Sequence, residues 1–321
     1  MILICLLLAF RTPQIEPQIE LNEESGHKEG VFLNYPSDVL MMGDLIFVVG
    51  GSFEILVFRD NEFVSSFGKQ GQGPDEFANW PESIVFQNDK IEITEMFGWQ
   101  KHFFSKDQVH LGKVTNERGR FVNFENARYK VFKYEEILTS HHLIQTEEGC
   151  QMGDIPNPND LKIHLASFII LPNSNSSHVL IKRNGKIYLY NLDCDIEKTY
   201  QLKVGNLVRE PQVDTLHTKL YNVTHDSNRT MYHYGLPVYD ATMCGEVLWL
   251  LASNEWRVNS LREPMETWLF RVNLNTGESN RVKWHRVIDK IRSFNDQVVL
   301  ISKKDVIIQV YKAEILERVF E

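Results

Sequence analysis

Residues 36–67 read PSDVLMMGDLIFVVGGSFEILVFRDNEFVSSF and give the clearest indication of the fold class. The stretch contains four short runs of β-branched and aromatic residues, the types that favour strands. Two polar pairs, Gly43-Asp44 and Asp60-Asn61, separate the first run from the second and the third from the fourth. Such pairs tolerate the positive φ of tight hairpin turns. The sequence therefore predicts one antiparallel sheet with strands at Pro36–Met41, Leu45–Val49, Glu54–Phe58 and Phe63–Phe67.

The same element, a polar pair followed by a β-rich run, recurs along the chain. Further copies begin at Asn88-Asp89, Asn184-Gly185, Cys244-Gly245 and Asn295-Asp296. Successive copies are about 45–60 residues apart, except for one interval of about twice the mean, which predicts a degenerate copy at Glu135-Glu136. We therefore expect hairpin turns near residues 43, 88, 135, 184, 245 and 295. The last repeat is expected to contain strands at Val287–Phe294, Gln297–Ser302, Val306–Tyr311 and Ile315–Phe320.

A repeat of about 50 residues with four strands is typical of propeller blades. The sequence thus predicts an all-β fold, a six-bladed β-propeller with four-stranded antiparallel blades. The alternative, a pair of β-sandwiches, gives no reason for the regular spacing. We expect residues 31–321 to form this single domain. Residues 1–30 are expected to be an apolar start and a polar linker, with room for a short strand at Gln18–Leu21.

The segment after the first predicted blade reads FGKQGQGPDEFANWPESIVF, Phe67–Phe86. It resembles the linker of NHL-type repeats, in which F-G-x-x-G-x-G-P-x-x-F is followed by Pro and an apolar strand. The matching residues are Phe67, Gly68, Gly71, Gly73, Pro74, Phe77 and Pro81. The likeness covers residues 31 to about 105 and is greatest to secreted bacterial six-bladed propellers with a G-x-G-P-x-E-F linker. It implies a linker that crosses from one blade to the next, with Phe77 filling the gap between them.

The chain begins with MILICLLLAF, ten residues without a charge. This run is too short to span a bilayer, but it suits the apolar part of a secretory signal peptide. Cys5 would allow a lipid anchor of the lipoprotein type, and the family likeness also implies export. We therefore expect an extracytoplasmic protein, in the cell envelope or secreted. Cys150, Cys194 and Cys244 are expected to be buried thiols, with one disulfide among them as the alternative.

The charge distribution and the motifs limit the function classes. The chain of 321 residues has a net charge of −9, and its lysines and arginines form no cluster. Phosphate binding needs such clusters, so a nucleic-acid partner is not expected. The sequence also contains no G-x-S-x-G or comparable nucleophile motif. These observations favour a non-enzymatic binding or interaction module without a cofactor.

Four carboxylates are predicted near the starts of inner strands, namely Asp38, Glu82, Asp240 and Asp289. Inner strands begin at one mouth of a propeller channel, so we expect these side chains to converge there. Four acids at one mouth could hold Ca²⁺, as in the calcium-dependent lactonases of this fold. A metal-dependent hydrolase of the lactonase type is therefore the alternative function. The simpler interpretation is that each acid caps a strand end or faces solvent.

Two tryptophans, Trp80 and Trp99, are expected in loops on the same face as these acids. Exposed aromatic rings there would suit a sugar or a peptide, whereas rings packed between blades would be core residues. The candidate ligand-binding residues are therefore Asp38, Trp80, Glu82, Trp99 and Asp240. The expected partner is a protein, a peptide or a carbohydrate, and no catalytic residue or metal ligand is assigned.

Overall fold

The computed structural model is mostly β. It describes residues 15–26, 30–96, 100–115, 121–124, 127–131, 144–146, 149–153, 167–171, 178–183, 186–191, 193–201, 238–253 and 266–320. The strands within these residues form six four-stranded antiparallel sheets. None of the helices in this described part has both the length and the apolar character needed to span a membrane.

The first strand, β1 (Ile19–Leu21), precedes the repeats. Sheet 1 contains β2 (Asp38–Met42), β3 (Leu45–Val49), β4 (Ile55–Arg59) and β5 (Glu62–Phe67). Sheet 2 contains β6 (Pro81–Gln87), β7 (Lys90–Glu95), β8 (Gln100–Phe104) and β9 (His110–Thr115). Sheet 3 contains β10 (Phe121–Phe124), β11 (Ala127–Val131), β12 (Ile144–Thr146) and β13 (Gln151–Met152).

The second half of the chain continues in the same order. Sheet 4 contains β14 (Ser167–Leu171), β15 (His178–Arg183), β16 (Lys186–Tyr190) and β17 (Ile196–Gln201). Sheet 5 contains β18 (Val238–Cys244), β19 (Val247–Ala252), β20 (Thr267–Asn273) and β21 (Ser279–Trp284). Sheet 6 contains β22 (Lys290–Phe294), β23 (Gln297–Ser302), β24 (Ile307–Lys312) and, at its outer edge, β1.

Four of the predicted hairpin turns are confirmed, and they join the first and second strands of sheets 1, 2, 5 and 6. Their turn residues have positive φ: 63° at Gly43, 50° at Asn88, 57° at Gly245 and 54° at Asn295. Glycine and asparagine adopt this conformation at little cost, which is why these pairs recur.

A hairpin near residue 184 is confirmed as well, because Arg183 of β15 is paired with Lys186 of β16, but it is not the first hairpin of its sheet. Asn184-Gly185 falls between β15 and β16, the second and third strands of sheet 4, and Glu135-Glu136 likewise falls between β11 and β12 of sheet 3. Both pairs themselves lie outside the described residues. The spacing did not identify which hairpin each pair closes, because an Asn-Gly pair suits any hairpin of a sheet and not only the first.

Sheet 6 is completed by the beginning of the chain. β1 pairs with β24, with Leu21 opposite Ile308. The predicted outer strand at Ile315–Phe320 is wrong, because Ala313–Glu317 form a short helix, α1, and Arg318–Phe320 a 3₁₀ turn. The short strand considered in the linker is therefore present, and it belongs to the last sheet.

Successive sheets meet through their first strands. β2 lies beside β6 on one side and β22 on the other, while β18 lies between β14 and β22. Side-chain hydrogen bonds cross these junctions: Ser37 Oγ donates to the carbonyl of Pro81 (3.4 Å), and the Tyr239 hydroxyl donates to that of Ile288 (2.6 Å). Sheets 4, 5, 6, 1 and 2 therefore form one continuous row, in which the last sheet of the sequence contacts the first.

The apolar core lies between neighbouring sheets. Phe47 and Val57 of sheet 1 pack with Ile84 and Ile93 of sheet 2 around Phe77, which is fully buried. The position expected for Phe77, between two successive sheets, is confirmed. Burying an aromatic side chain of this size is a major contribution to the stability of the junction.

Two of the cysteines form a disulfide. Cys150, just before β13 in sheet 3, is bonded to Cys194, in the loop between β16 and β17 of sheet 4, with 6.1 Å between their Cα atoms. Cys244 at the end of β18 keeps a buried thiol. The expectation of buried thiols is thus confirmed for Cys244 and wrong for the other two, whose Cα separation falls in the range of a disulfide.

Candidate functional site

Most candidate residues lie at one end of the sheets, here called the linker face and defined by residues 31–37, 50–54, 68–80 and 285–289. Asp38 begins β2, Trp80 immediately precedes β6, and Glu82 is the second residue of β6. Asp240 is the third residue of β18. Trp99 lies outside the described residues.

Asp38 is surrounded by donors, and its side chain is only 1% exposed. Its Oδ1 accepts hydrogen bonds from the backbone N–H of Val39 (3.0 Å) and from Arg292 Nε (2.9 Å). Its Oδ2 accepts from the backbone N–H of Ile84 (3.4 Å) and from Arg292 Nη2 (3.3 Å). Lys290 Nζ lies 3.2 Å from the same Oδ2. Both carboxylate oxygens are therefore fully engaged.

Arg292 connects Asp38 to Asp240. Its Nη1 donates to Asp240 Oδ2 (3.1 Å) and to the carbonyl of Ile291 (2.7 Å). The same Oδ2 also accepts the backbone N–H of Ile291 (2.8 Å). One guanidinium on sheet 6 therefore binds carboxylates from sheets 1 and 5, and it joins three neighbouring sheets. Asp38, Asp240, Lys290 and Arg292 are called the charged cluster below.

Asp38 and Asp240 perform the same structural task in two sheets. Each precedes a buried residue of a first strand, and each accepts a backbone N–H from the first strand of the following sheet, that of Ile84 or that of Ile291. Lys290 stands at the corresponding position of sheet 6, one residue before Ile291. Its ammonium group reaches Asp38 of sheet 1, the sheet next to it.

Burial and ion pairing set the electrostatics of the charged cluster. Burial alone would raise the pKa of Asp38, but Arg292 and Lys290 outweigh it and hold that pKa below its ordinary value. Burial raises the pKa of Asp240, against the opposing effect of Arg292. Burial likewise lowers the pKa of Lys290, against the attraction of Asp38. With all four groups ionised, two negative and two positive charges cancel.

The carboxylates do not fit the calcium site considered from the sequence. Both oxygens of Asp38 are bonded to N–H donors, and Arg292 and Lys290 supply the positive charge that a metal ion would bring. Asp289 accepts a backbone N–H instead (2.7 Å), and Glu82 is exposed. Within the part of the chain that the structure describes, no three acidic, histidine or cysteine side chains are grouped to hold a metal ion.

Trp80 presents an open aromatic surface on the linker face. Its side chain is 49% exposed, and its ring meets Phe53 edge-on with 6.4 Å between the centroids. The interpretation of Trp80 as a ring packed between sheets is therefore wrong. The hydrogen bond from Ser37 Oγ to the carbonyl of Pro81 joins the neighbour of Asp38 to the neighbour of Trp80. Asp38 and residues 80–82 therefore lie at the adjacent ends of two neighbouring first strands.

Glu95 holds the linker that carries Trp80 through hydrogen bonds to its backbone. Glu95 Oε1 accepts the backbone N–H of Ala78 (2.9 Å) and Oε2 that of Asn79 (3.1 Å). His102 Nε2 lies 3.0 Å from Oε1, and the side chains of Glu95 and His102 are both fully buried. Burial lowers the pKa of His102, although Glu95 opposes this effect. The residues just before Trp80 are therefore held in a fixed position.

Lys290 and Arg292 were not among the candidate residues. They lie two residues apart on β22, so their side chains project to the same side of the strand. The signal in the sequence was a pair of basic residues alternating with apolar ones on a first strand. Because carboxylates occupy the corresponding place in sheets 1 and 5, that pair could have been recognised as their counterions.

No protein-family model and no curated protein matches the chain, so the NHL-type resemblance stays a prediction. Among solved structures, a putative exported protein from Bacteroides fragilis is similar, with 12% identity over 83% of this chain and 78% of that chain (TM-score 0.49). Virginiamycin B lyase from Staphylococcus aureus has 11% identity over 91% and 98% (0.44). The WD40 β-propeller domain of Doa1 has 10% identity over 86% and 91% (0.44). Likeness at this level carries no information on function.

Proposed function

We propose that this protein is a non-enzymatic binding module that works outside the cytoplasm and binds its ligand at the linker face of a single six-bladed β-propeller. The row of sheets, in which β1 of the N-terminal segment completes sheet 6, supports the propeller. The domain comprises residues 31–321 together with this strand. The Gly-rich segment before Trp80 supports an NHL-like linker.

The exposed ring of Trp80 is the observation that carries the binding proposal. A half-exposed tryptophan ring on a rigid support offers apolar surface and an N–H donor that suit a ligand. The support here is rigid, because Glu95 fixes the preceding residues and Phe77 is buried between two sheets. The charged cluster at the same end of the sheets provides polar groups, and an aromatic ring with a few polar groups is typical of ligand sites.

The geometry favours a binder over the alternative metal-dependent hydrolase. A lactonase-type centre would need carboxylate oxygens directed at a metal ion, whereas those of Asp38 are taken up by Arg292, Lys290 and backbone N–H groups. The cluster therefore supports the site as a rigid set of paired charges, and its acids and bases are not free to transfer protons. The same balance leaves little positive potential for nucleic acid, so the partner is a protein, a peptide or a carbohydrate.

Two features support a location outside the cytoplasm. The disulfide between Cys150 and Cys194 is of the kind that persists in oxidising compartments. The apolar run MILICLLLAF suits a secretory signal, and Cys5 offers a site for a lipid anchor. Fractionating cells that express the full chain tests this: recovery in the cytosol with free Cys150 and Cys194 thiols would contradict export.

A ligand screen with matched variants tests the binding function. The purified full chain is applied to a peptide library and to a glycan array, and each hit is repeated with Trp80→Ala and with Leu111→Ala. Leu111 is 52% exposed on the outer strand of the same sheet, so its substitution controls for loss of exposed apolar surface. Selective binding should disappear in Trp80→Ala alone. Unchanged binding by Trp80→Ala, or chemical conversion of the ligand, would overturn the proposal.

A further inference from the structure

We propose that the linker-face site takes an uncharged oligosaccharide, one sugar ring of which stacks on Trp80 while hydroxyl groups of another bond to Lys290 and Asp240. This inference rests on the proposed function and names its ligand class. It follows from the hydrogen-bonding capacity that remains in the charged cluster once its internal bonds are counted.

Two members of the cluster have most of its unused hydrogen-bonding capacity. The Lys290 ammonium carries three hydrogens, and Asp38 Oδ2 is its one partner among the described residues. Asp240 uses Oδ2 for both of its bonds, and no described residue donates to its Oδ1. Their side chains are 20% and 13% exposed, so solvent reaches both. Arg292 uses four of its five N–H groups within the cluster, which leaves one on Nη2, and both oxygens of Asp38 are occupied.

The unused groups suit a ligand that can both donate and accept hydrogen bonds. Lys290 offers donors, and Asp240 offers an acceptor. A hydroxyl group can satisfy either one without bringing a charge. An anionic or cationic ligand would instead upset a cluster whose formal charges cancel, and it would lose its hydration without a free counterion in return. Neighbouring hydroxyls on one sugar ring meet both demands at once.

Trp80 supplies the apolar part of the same site. One face of a pyranose ring carries C–H groups and packs against an aromatic ring, as apolar groups generally do. Trp80 belongs to the edge of sheet 2, whereas Lys290 belongs to sheet 6, and sheet 1 lies between them. A single sugar cannot cover both, so the geometry points to a chain of at least two rings.

The experiment compares neutral and charged ligands on the folded full-length chain. A glycan array carries neutral oligosaccharides, their uronic-acid counterparts and amino sugars, and a peptide library is screened beside it. The best neutral oligosaccharide is then titrated by calorimetry at low and high NaCl concentration. We expect neutral glycans to bind, with an affinity that changes less than about twofold with salt, because no net charge is paired on binding.

Variants assign the contacts. Trp80→Ala and Lys290→Met should each weaken binding by roughly thirtyfold, the effect of losing a central contact. Asp240→Asn is nearly isosteric and keeps an oxygen for Ile291, so it should stay folded while losing several-fold in affinity. Leu111→Ala should bind like the unaltered chain. A thermal melt of each variant shows whether it is folded.

The outcomes separate this inference from the function on which it rests. Preferential binding of uronic acids or peptides that still depends on Trp80 would overturn the saccharide inference and leave the binding site standing. Neutral glycans that bind equally well to folded Lys290→Met and Asp240→Asn would also overturn it. Binding that is unchanged in Trp80→Ala would overturn the proposed function together with the inference. The absence of binding to any glycan or peptide would do the same.

Discussion

Removal of the disulfide between Cys150 and Cys194 should lower the free energy of unfolding by about 4 kcal/mol. The bond closes a loop with a sequence separation of 44 residues. In the chain-entropy model a loop of that length restricts the unfolded state by about 13 cal/mol/K, which at 25 °C gives the figure above. The bond also joins sheet 3, whose strands β12 and β13 contain only three and two residues, to sheet 4. Few backbone hydrogen bonds hold that edge, so the covalent link matters there.

The assay is equilibrium unfolding in guanidinium chloride. The unaltered chain is compared with and without a reductant, and with the double variant Cys150→Ser/Cys194→Ser. Cys244→Ser is the control: its thiol donates only to the carbonyl of Asn295 (3.3 Å), so this variant should keep the full response to reductant.

The expected pattern has three parts. The reductant should destabilise the unaltered chain and Cys244→Ser by similar amounts, the double variant should match the reduced chain, and it should not respond further. Equal stabilities of the oxidised and reduced chains would refute the reasoning. A double variant that still responds to reductant would refute it as well, because the effect would then come from another bond.

Three further predictions concern the charged cluster, the linker and pH. Arg292→Met should lower the free energy of unfolding by about 3–5 kcal/mol, because buried carboxylates lose their cation. Adding Asp38→Asn should recover part of this loss in chemical denaturation, and the absence of any recovery would contradict the ion-pair account. Phe77→Ala should cost about 3–5 kcal/mol and Trp80→Ala much less, since half of that ring is already in water; equal losses in the same assay would contradict this. The melting temperature should fall as pH drops below 6.5, because His102 binds a proton in the unfolded chain at a pH where buried His102, with its lowered pKa, stays neutral. Calorimetry should show a flatter dependence of the melting temperature on pH for His102→Gln, and an unchanged slope would exclude His102 as the source.

The sequence predicted the repeating sheets well wherever local signals determine structure. Turn pairs with positive φ, such as Asn88-Asp89, and alternating apolar runs are local properties, and four turns follow from them. The placement of Asn184-Gly185 failed because a turn pair does not record which hairpin of a sheet it closes. Loops of different length between the strands change the spacing of the repeats, and the residues around a loop do not determine its length.

The closing strand of sheet 6 could not be predicted from its neighbourhood in sequence. Pairing between β1 and β24 joins residues from opposite ends of the chain, and a strand of three residues has a weak pattern of its own. The wrong choice, Ile315–Phe320, does carry a local warning. Its apolar residues come in adjacent pairs four positions apart, a spacing that places them on one face of a helix, as found for α1.

Two of the four acids, Asp38 and Asp240, bind the same arginine, and their purpose depends on residues that no acid pattern reveals. Asp38 and Asp240 accept backbone N–H groups from the next sheet, so the carboxylates hold the sheets together. The groups left over after that task can bind a ligand, namely the spare hydrogens of Lys290, one N–H of Arg292 and one oxygen of Asp240. The number of acids at this end of the sheets therefore says little about binding. The site is defined instead by where the bonds between the sheets leave donors and acceptors unused.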